Sequence, residues 1–174
     1  LPVTAVVGRH DDVDGLLATV AERIAAGVAM VKLKVGPRPG DLDGVAAVRS
    51  AWPGLRLAVD ANGTLDGRAV SILASLDLVY LEQPFPADDL LAHAAAARRH
   101  EVPIALDESI GSVSDLETAL ALGAVGVLNV KPARLGGLRP ALEVARRAGE
   151  EGVRSFVGGM VESGVGRAAA LALA

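Results

Sequence analysis

Val31-Lys32-Leu33-Lys34-Val35, VKLKV, alternates apolar and basic side chains with a period of two. In an extended strand that period sends Lys32 and Lys34 to one face and Val31, Leu33 and Val35 to the other. Such a strand belongs between an apolar layer and a polar pocket. The pattern of an apolar run closed by a charged residue recurs along the chain at Asp60, Glu82, Asp107 and Lys131. The steps 34 to 60, 60 to 82, 82 to 107 and 107 to 131 are all between 22 and 26 residues long. Each step holds a β-branched run and an Ala-rich stretch of helical spacing, the mark of βα units around a parallel sheet.

Seven strands are predicted, at Val3–Val7, Met30–Val35, Leu55–Asp60, Leu78–Glu82, Ile104–Asp107, Gly126–Val130 and Ser155–Gly158. Helices are predicted between them at Val13–Ala26, Leu42–Ala51, Ala69–Leu76, Leu90–Arg99, Ser114–Leu122 and Leu138–Glu150. An open doubly wound sheet and a (β/α)8 barrel share this order. Burying five charged strand ends in an open sheet is costly, whereas a barrel gathers them at one solvated mouth. Compact barrels use about 25 residues per unit, so the 174 residues amount to about seven units. The expectation is an α/β fold, a partial (β/α)8-type TIM barrel over residues 1–174 as one domain, short of its eighth strand. On that expectation the runs at 3–7 and 155–158 are free edges. The isolated chain should then self-associate and be inactive, which size-exclusion chromatography with an activity assay reads out.

Composition narrows the function classes. With 51% hydrophobic and 22% charged residues and a net charge of −4, the chain folds rather than staying disordered. Aromatic residues are only 2%, too few to stack bases, and the acidic balance opposes phosphate binding. Cysteine is absent, which excludes disulfides, thiolate metal sites and cysteine nucleophiles and fits a cytoplasmic setting. Apolar stretches such as 119–130 fall short of the ~18 residues a spanning helix needs. The expected partners are a small-molecule carboxylate and further copies of the same chain, with no nucleic acid and no membrane.

Of 17 basic residues, 14 are Arg and three are Lys: Lys32, Lys34 and Lys131, all in strand contexts. A chain that uses Arg elsewhere but keeps Lys there needs an amine able to lose its proton, which guanidinium cannot do. Crowding two ammonium groups on one face, and burying them, both favour the neutral amine of a general base. Lys131 enters from a strand four units later, so amines can approach a carbon from two sides. Asp60, Glu82 and Asp107 end three successive strands. They read either as three hard oxygen ligands, suited to Mg2+ or Mn2+ rather than zinc, or as caps of the helices that follow.

The strings VKLKV (31–35), VDAN (59–62), LEQP (81–84), ALDES (105–109), NVKPARLGG (129–137) and GGMVESGVGRAA (158–169) resemble the enolase superfamily. In order and spacing they are similar to its muconate-lactonizing-enzyme subgroup, and within it to the o-succinylbenzoate synthase / N-acylamino acid racemase family. The resemblance implies that Asp60, Glu82 and Asp107 bind Mg2+, that Lys34 and Lys131 are the acid/base pair, and that Lys32 helps to neutralise an enediolate. It implies an o-succinylbenzoate synthase, a hydro-lyase of menaquinone biosynthesis. N-acylamino acid racemization and dipeptide epimerization are the alternatives, since they begin with the same α-proton abstraction, and a catalytically inert barrel piece is a further one. Members of the family also carry an N-terminal α+β capping domain, which these 174 residues do not include.

Other residues carry weaker signals. Asn62 shares a face with Asp60, and Asn129 shares one with Lys131; each either contacts substrate or buttresses the groups that do. Gly159, Met160 and Glu162 follow the last strand and are candidates to line the mouth, Glu162 alternatively capping the final helix. Glu108 should point away from the mouth into an ion pair. Gly164–Ala169 matches a dinucleotide-type GxGxxA pattern but has no acid some 20 residues on; a helix N-terminus that takes a substrate carboxylate is the better reading. His10, His93 and His100 lack ligand spacing and are expected to be exposed, and Trp52 to pack at a helix end.

Overall fold

The structure, a computed structural model, describes residues 2–174, with Pro39 described by its backbone alone. The elements run β1 (Thr4–Val7), α1 (Val13–Ala25), β2 (Met30–Lys34), α2 (Pro39–Ala51), β3 (Leu57–Asp60), α3 (Gly67–Ala74), β4 (Leu81–Glu82), α4 (Leu90–Arg99), β5 (Ile104–Leu106), α5 (Val113–Leu122), β6 (Val127–Val130), α6 (Pro132–Leu135), α7 (Leu138–Glu150), β7 (Arg154–Val157) and α8 (Gly164–Leu173). All seven strands join one parallel sheet in sequence order, so each neighbouring pair is bridged by helix. β1 and β7 each have a single neighbour among the described residues. Inner side chains of distant strands meet: Phe156 of β7 stacks on Tyr80, just before β4, with ring centroids 5.4 Å apart. The Lys32 amine of β2 lies 5.4 Å from the Phe156 ring. A flat sheet could not bring these together, so the sheet curls as a partial TIM-barrel wall.

The seven expected strands are present, within two residues at most ends. The exception is the fourth, which shrinks to Leu81–Glu82. Its first half still joins neighbours, since Val79 N donates to Leu57 O at 2.8 Å and Val59 N to Tyr80 O at 3.3 Å. The four-residue α6 was not anticipated, because a single turn has no periodicity to read.

Period-two alternation divides the strands between two layers. Val31, Leu33, Leu57, Val59, Leu81, Ile104, Leu106, Leu128 and Val130 face outward into the main core beneath the helices. Ala58, Tyr80, Ala105 and Val127 face inward as a small apolar floor that Phe156 covers. Fully burying one of the outward Leu side chains contributes about 1.5–3 kcal/mol. The inward positions one step further along are Lys32, Asp60, Glu82, Asp107 and Asn129, all buried polar groups. Among the described residues no helix is long and apolar enough to cross a membrane.

Helices α1, α3, α4 and α5 begin with their own caps. Asp12, Asp66, Asp89 and Ser112 accept from the backbone N–H three residues on, at 2.7, 2.8, 2.9 and 3.2 Å, each contributing about 1 kcal/mol. The acids at the strand ends are therefore not needed as caps, and the capping reading of Asp60, Glu82 and Asp107 is set aside. Trp52 ends α2 and packs against the core, as expected.

His93 is the clearest departure from the sequence reading, which expected it exposed: it is 0% exposed. Its Nδ1 lies 2.7 Å from Asp89 O; a carbonyl can only accept, so Nδ1 carries the proton. Nε2 is then the acceptor for Phe85 N at 3.4 Å. Burial pushes the imidazole below its ordinary 6.5, with Asp89 opposing in part. The unfolded chain therefore takes up this proton first as pH falls. The His93 contribution to stability is complete above about 6.5 and declines below it. In urea denaturation, the stability advantage of wild type over His93→Gln should shrink between pH 7.5 and 5.5. The raised Glu82 titrates in the opposite sense but cancels in that difference, so a pH-independent gap would contradict the assignment.

Candidate active site

Alternation along β2 brings Lys32 and Lys34 to the same inner face, and parallel register sets Lys34 opposite Asp60 and Asp60 opposite Glu82. Lys34 Nζ donates to Asp60 Oδ2 at 2.6 Å and to Asn62 Oδ1 at 2.7 Å. Lys32 Nζ donates to Glu82 Oε2 at 2.6 Å and lies 3.5 Å from Asp60 Oδ2. Asn129 Nδ2 closes the other side of Glu82, donating to Oε1 at 2.7 Å. Around the mouth, Lys131 Nζ donates to Asp107 Oδ2 at 2.6 Å, and Arg134 pairs with the other oxygen of Asp107.

The carboxylates are 2%, 0% and 0% exposed at Asp60, Glu82 and Asp107, while the side chains of Lys34 and Lys131 keep 33% and 14% of theirs. The acids form the floor and the two outer amines reach the opening. Burial pushes the Glu82 carboxyl above its ordinary range; Lys32 pulls it back, Asp60 adds to the rise, and Asn129 pulls back further. Burial likewise pushes the Tyr80 phenol up.

Several expectations change. Lys32 and Lys34 do not simply crowd each other, because each is docked on a carboxylate. Glu108 does not point away: its Oε1 accepts from Asn62 Nδ2 at 2.9 Å, extending a chain from Lys34 through Asn62 along the mouth. Among the described residues it makes no ion pair. Glu162 caps no helix N–H; it accepts from Met160 N at 2.5 Å, and Ser163 caps α8. Met160 is exposed and Glu162 half-buried, and neither lines the cavity that Gly159 shares with Lys32, Lys34, Asp60, Asn129 and Lys131. Arg134 was missed, although it follows Lys131 by three residues, one helical turn of α6. Gln83 and Ser109 were missed as well.

The donor set fits a hard divalent cation by its chemistry: three buried carboxylates from adjacent strands, all oxygen. They are turned toward amines and a guanidinium, and among the described residues no three acidic or imidazole side chains already surround a common point.

Asn129 also fixes a glycine. A Cβ on Gly158 would come within 2.8 Å of Asn129 Cγ and 2.9 Å of Nδ2, and Asn129 Oδ1 is buried with no hydrogen-bond partner. Gly158→Ala must push Asn129 off Glu82. Its expected effect is a loss of turnover of at least about tenfold with a small change in melting temperature; full activity would show that the Asn129–Glu82 contact is dispensable.

Comparison with known proteins agrees with the barrel fold. Residues 15–174 match the family model described as Enolase C-terminal domain-like. An o-succinylbenzoate synthase of Enterococcus faecalis is 42% identical over 172 residues, 97% of this chain and 46% of that protein. An N-succinylamino acid racemase of Thermus thermophilus is 41% identical over 97% of this chain and 46% of its own length. The chain thus spans about half the length of the curated relatives it matches. Among solved structures, an enolase-superfamily member from Listeria innocua superposes with a TM-score of 0.92 at 36% identity, covering 99% of this chain and 47% of that one. A racemase from Streptomyces coelicolor with bound magnesium gives a TM-score of 0.84 at 28% identity, covering 98% and 50%.

Proposed function

This chain belongs to the Enolase C-terminal domain-like family, and on that premise we propose that it is the catalytic barrel of a Mg2+-dependent o-succinylbenzoate synthase. The observation that carries the reading is the pairing of Lys34 with Asp60 and of Lys131 with Asp107 at one mouth. The synthase relative at 42% identity supports the choice of reaction.

Asp60, Glu82 and Asp107 would hold the cation. When bound, it supplies positive charge to the substrate carboxylate, which makes the adjacent C–H more acidic. An ammonium docked on a carboxylate is no base, so Lys34 or Lys131 must release its acid partner and its proton before it acts. The neutral amine then takes the α-proton, and the C–H electron pair moves toward the carboxylate as an enediolate. Lys32, buried between Glu82 and Asp60, keeps a fixed positive charge beside the place where that negative charge grows. For the synthase, the ring hydroxyl departs with its bonding pair, takes a proton from an ammonium and leaves as water, and the ring becomes aromatic.

N-succinylamino acid racemization is the second reading, favoured by one observation: the two outer amines stand on β2 and after β6, each with a carboxylate of its own. One amine can remove the α-proton from one face while the other delivers a proton to the opposite face, with no bond to oxygen broken. The 41% identical racemase relative supports it. Full-length protein with Mg2+, assayed side by side on the cyclohexadiene carboxylate and on N-succinyl amino acids, separates the two. Synthase turnover at least tenfold more efficient is expected; the reverse order would replace the first reading by the second.

A further inference from the structure

Immediately after Glu82 the chain places a residue that braces all three acid-bearing strands. Gln83 is 0% exposed and holds a φ of +40°, a left-handed backbone that few side chains adopt. Its backbone N donates to Ala105 O at 2.8 Å, and its carbonyl accepts from Gly63 N at 2.7 Å. The first bond ties the end of β4 to β5, and the second ties it to the turn that follows Asp60. Its side chain continues toward β5: Oε1 accepts from Asp107 N at 3.0 Å and from Ser109 N at 3.2 Å, and Nε2 donates to Ser109 Oγ at 2.7 Å. The remaining amide hydrogen faces Phe85 O at 3.1 Å and His93 Nε2 at 3.2 Å. His93, with its proton on Nδ1, presents only an acceptor there, so the Gln83 amide cannot flip without setting its oxygen against that lone pair. The orientation of the amide is thereby fixed, and with it the backbone that carries Asp107.

We propose that Gln83, oriented by His93, is a positioning residue that sets the Asp107 carboxylate for divalent-cation binding. It touches neither substrate nor reacting atoms; it acts through the N–H groups of Asp107 and Ser109. A core glutamine kept only for packing would not need an acceptor at that point, whereas a positioning residue needs the Oε1 acceptor and little else. The inference rests on the reading of Asp60, Glu82 and Asp107 as the cation site.

The test uses the full chain and Mn2+ alone, its free ion counted by electron paramagnetic resonance, so that no turnover is required. Gln83→Met keeps length and loses the acceptor; Gln83→Glu, held as the neutral acid by burial beside the Phe85 carbonyl and the His93 lone pair, keeps an acceptor oxygen for both N–H groups and places a hydroxyl where Nε2 stood. Mn2+ affinity is expected to fall tenfold or more in Gln83→Met and to stay within threefold of wild type in Gln83→Glu. Affinity in Gln83→Met equal to wild type, or equal losses in both variants, would overturn the proposal. If Gln83→Met does not fold, Ser109→Ala takes its place: removing the hydroxyl that receives Nε2 should weaken Mn2+ at least threefold, and unchanged affinity would overturn it. Wild-type protein that binds no Mn2+ would defeat the cation-site reading itself, and this inference with it. Binding in wild type with no difference in Gln83→Met defeats the inference alone.

Discussion

Lys131→Ala and Lys34→Ala should each lower turnover by about 10²–10⁴-fold, the range that positioned general acids and bases contribute. Neither change should unfold the protein. Asp107 keeps Arg134 when Lys131 is removed, and Asp60 keeps Lys32 at 3.5 Å when Lys34 is removed. The cost of an unpaired buried charge, about 3–5 kcal/mol, is therefore avoided in both variants, and melting temperature measured alongside activity checks this. The two substitutions should also differ in kind. With an N-succinyl amino acid in D2O, each should abolish α-proton exchange for one enantiomer and spare the other. Equal loss for both enantiomers would mean that the two amines do not serve opposite faces.

Asp107→Asn carries the second large effect. Titration calorimetry of the full-length wild type should show one Mg2+ or Mn2+ site. The isosteric amide removes one charged oxygen ligand while leaving Lys131 and Arg134 a carbonyl to face, so binding should weaken by at least about 100-fold, the upper end of losses from disturbing even outer partners of a metal site. Glu82→Gln should act similarly, with Lys32 and Asn129 still in contact with its side chain. Unchanged affinity in either variant would remove that residue from the ligand set.

Most of the barrel was legible because its signals are local. VKLKV alternates visibly, and each charged strand end stands at a regular interval after an apolar run. The inner face was readable for the same reason: period two places Lys32 with Lys34, and Asn129 with Lys131, without knowledge of any neighbour. What escaped depends on departures from regular strand geometry. Glu108 was assigned outward by extending alternation past Asp107, yet β5 ends at Leu106, and beyond that point the period no longer applies. Gln83 escaped because its positive φ swings the side chain toward β5 at the place where β4 stops. His93 looked exposed among polar letters in a helix. Its burial follows from the fold of the 83–93 segment, where Asp89 O and Phe85 N meet its two ring nitrogens. The pairing of each lysine with a carboxylate could not be read either, since it depends on distances between strands rather than on position within one.

The claim at the centre is that this mouth removes a proton from the carbon beside a carboxylate. Proton NMR of full-length protein with Mg2+ and an N-succinyl amino acid in D2O tests it without requiring net reaction. Loss of the α-proton signal at an enzyme-dependent rate, abolished in the Lys34→Ala/Lys131→Ala double variant, is the expected result. An α-proton signal that persists, or one that disappears equally fast in the double variant, would contradict the assignment of these two amines as the acid and base.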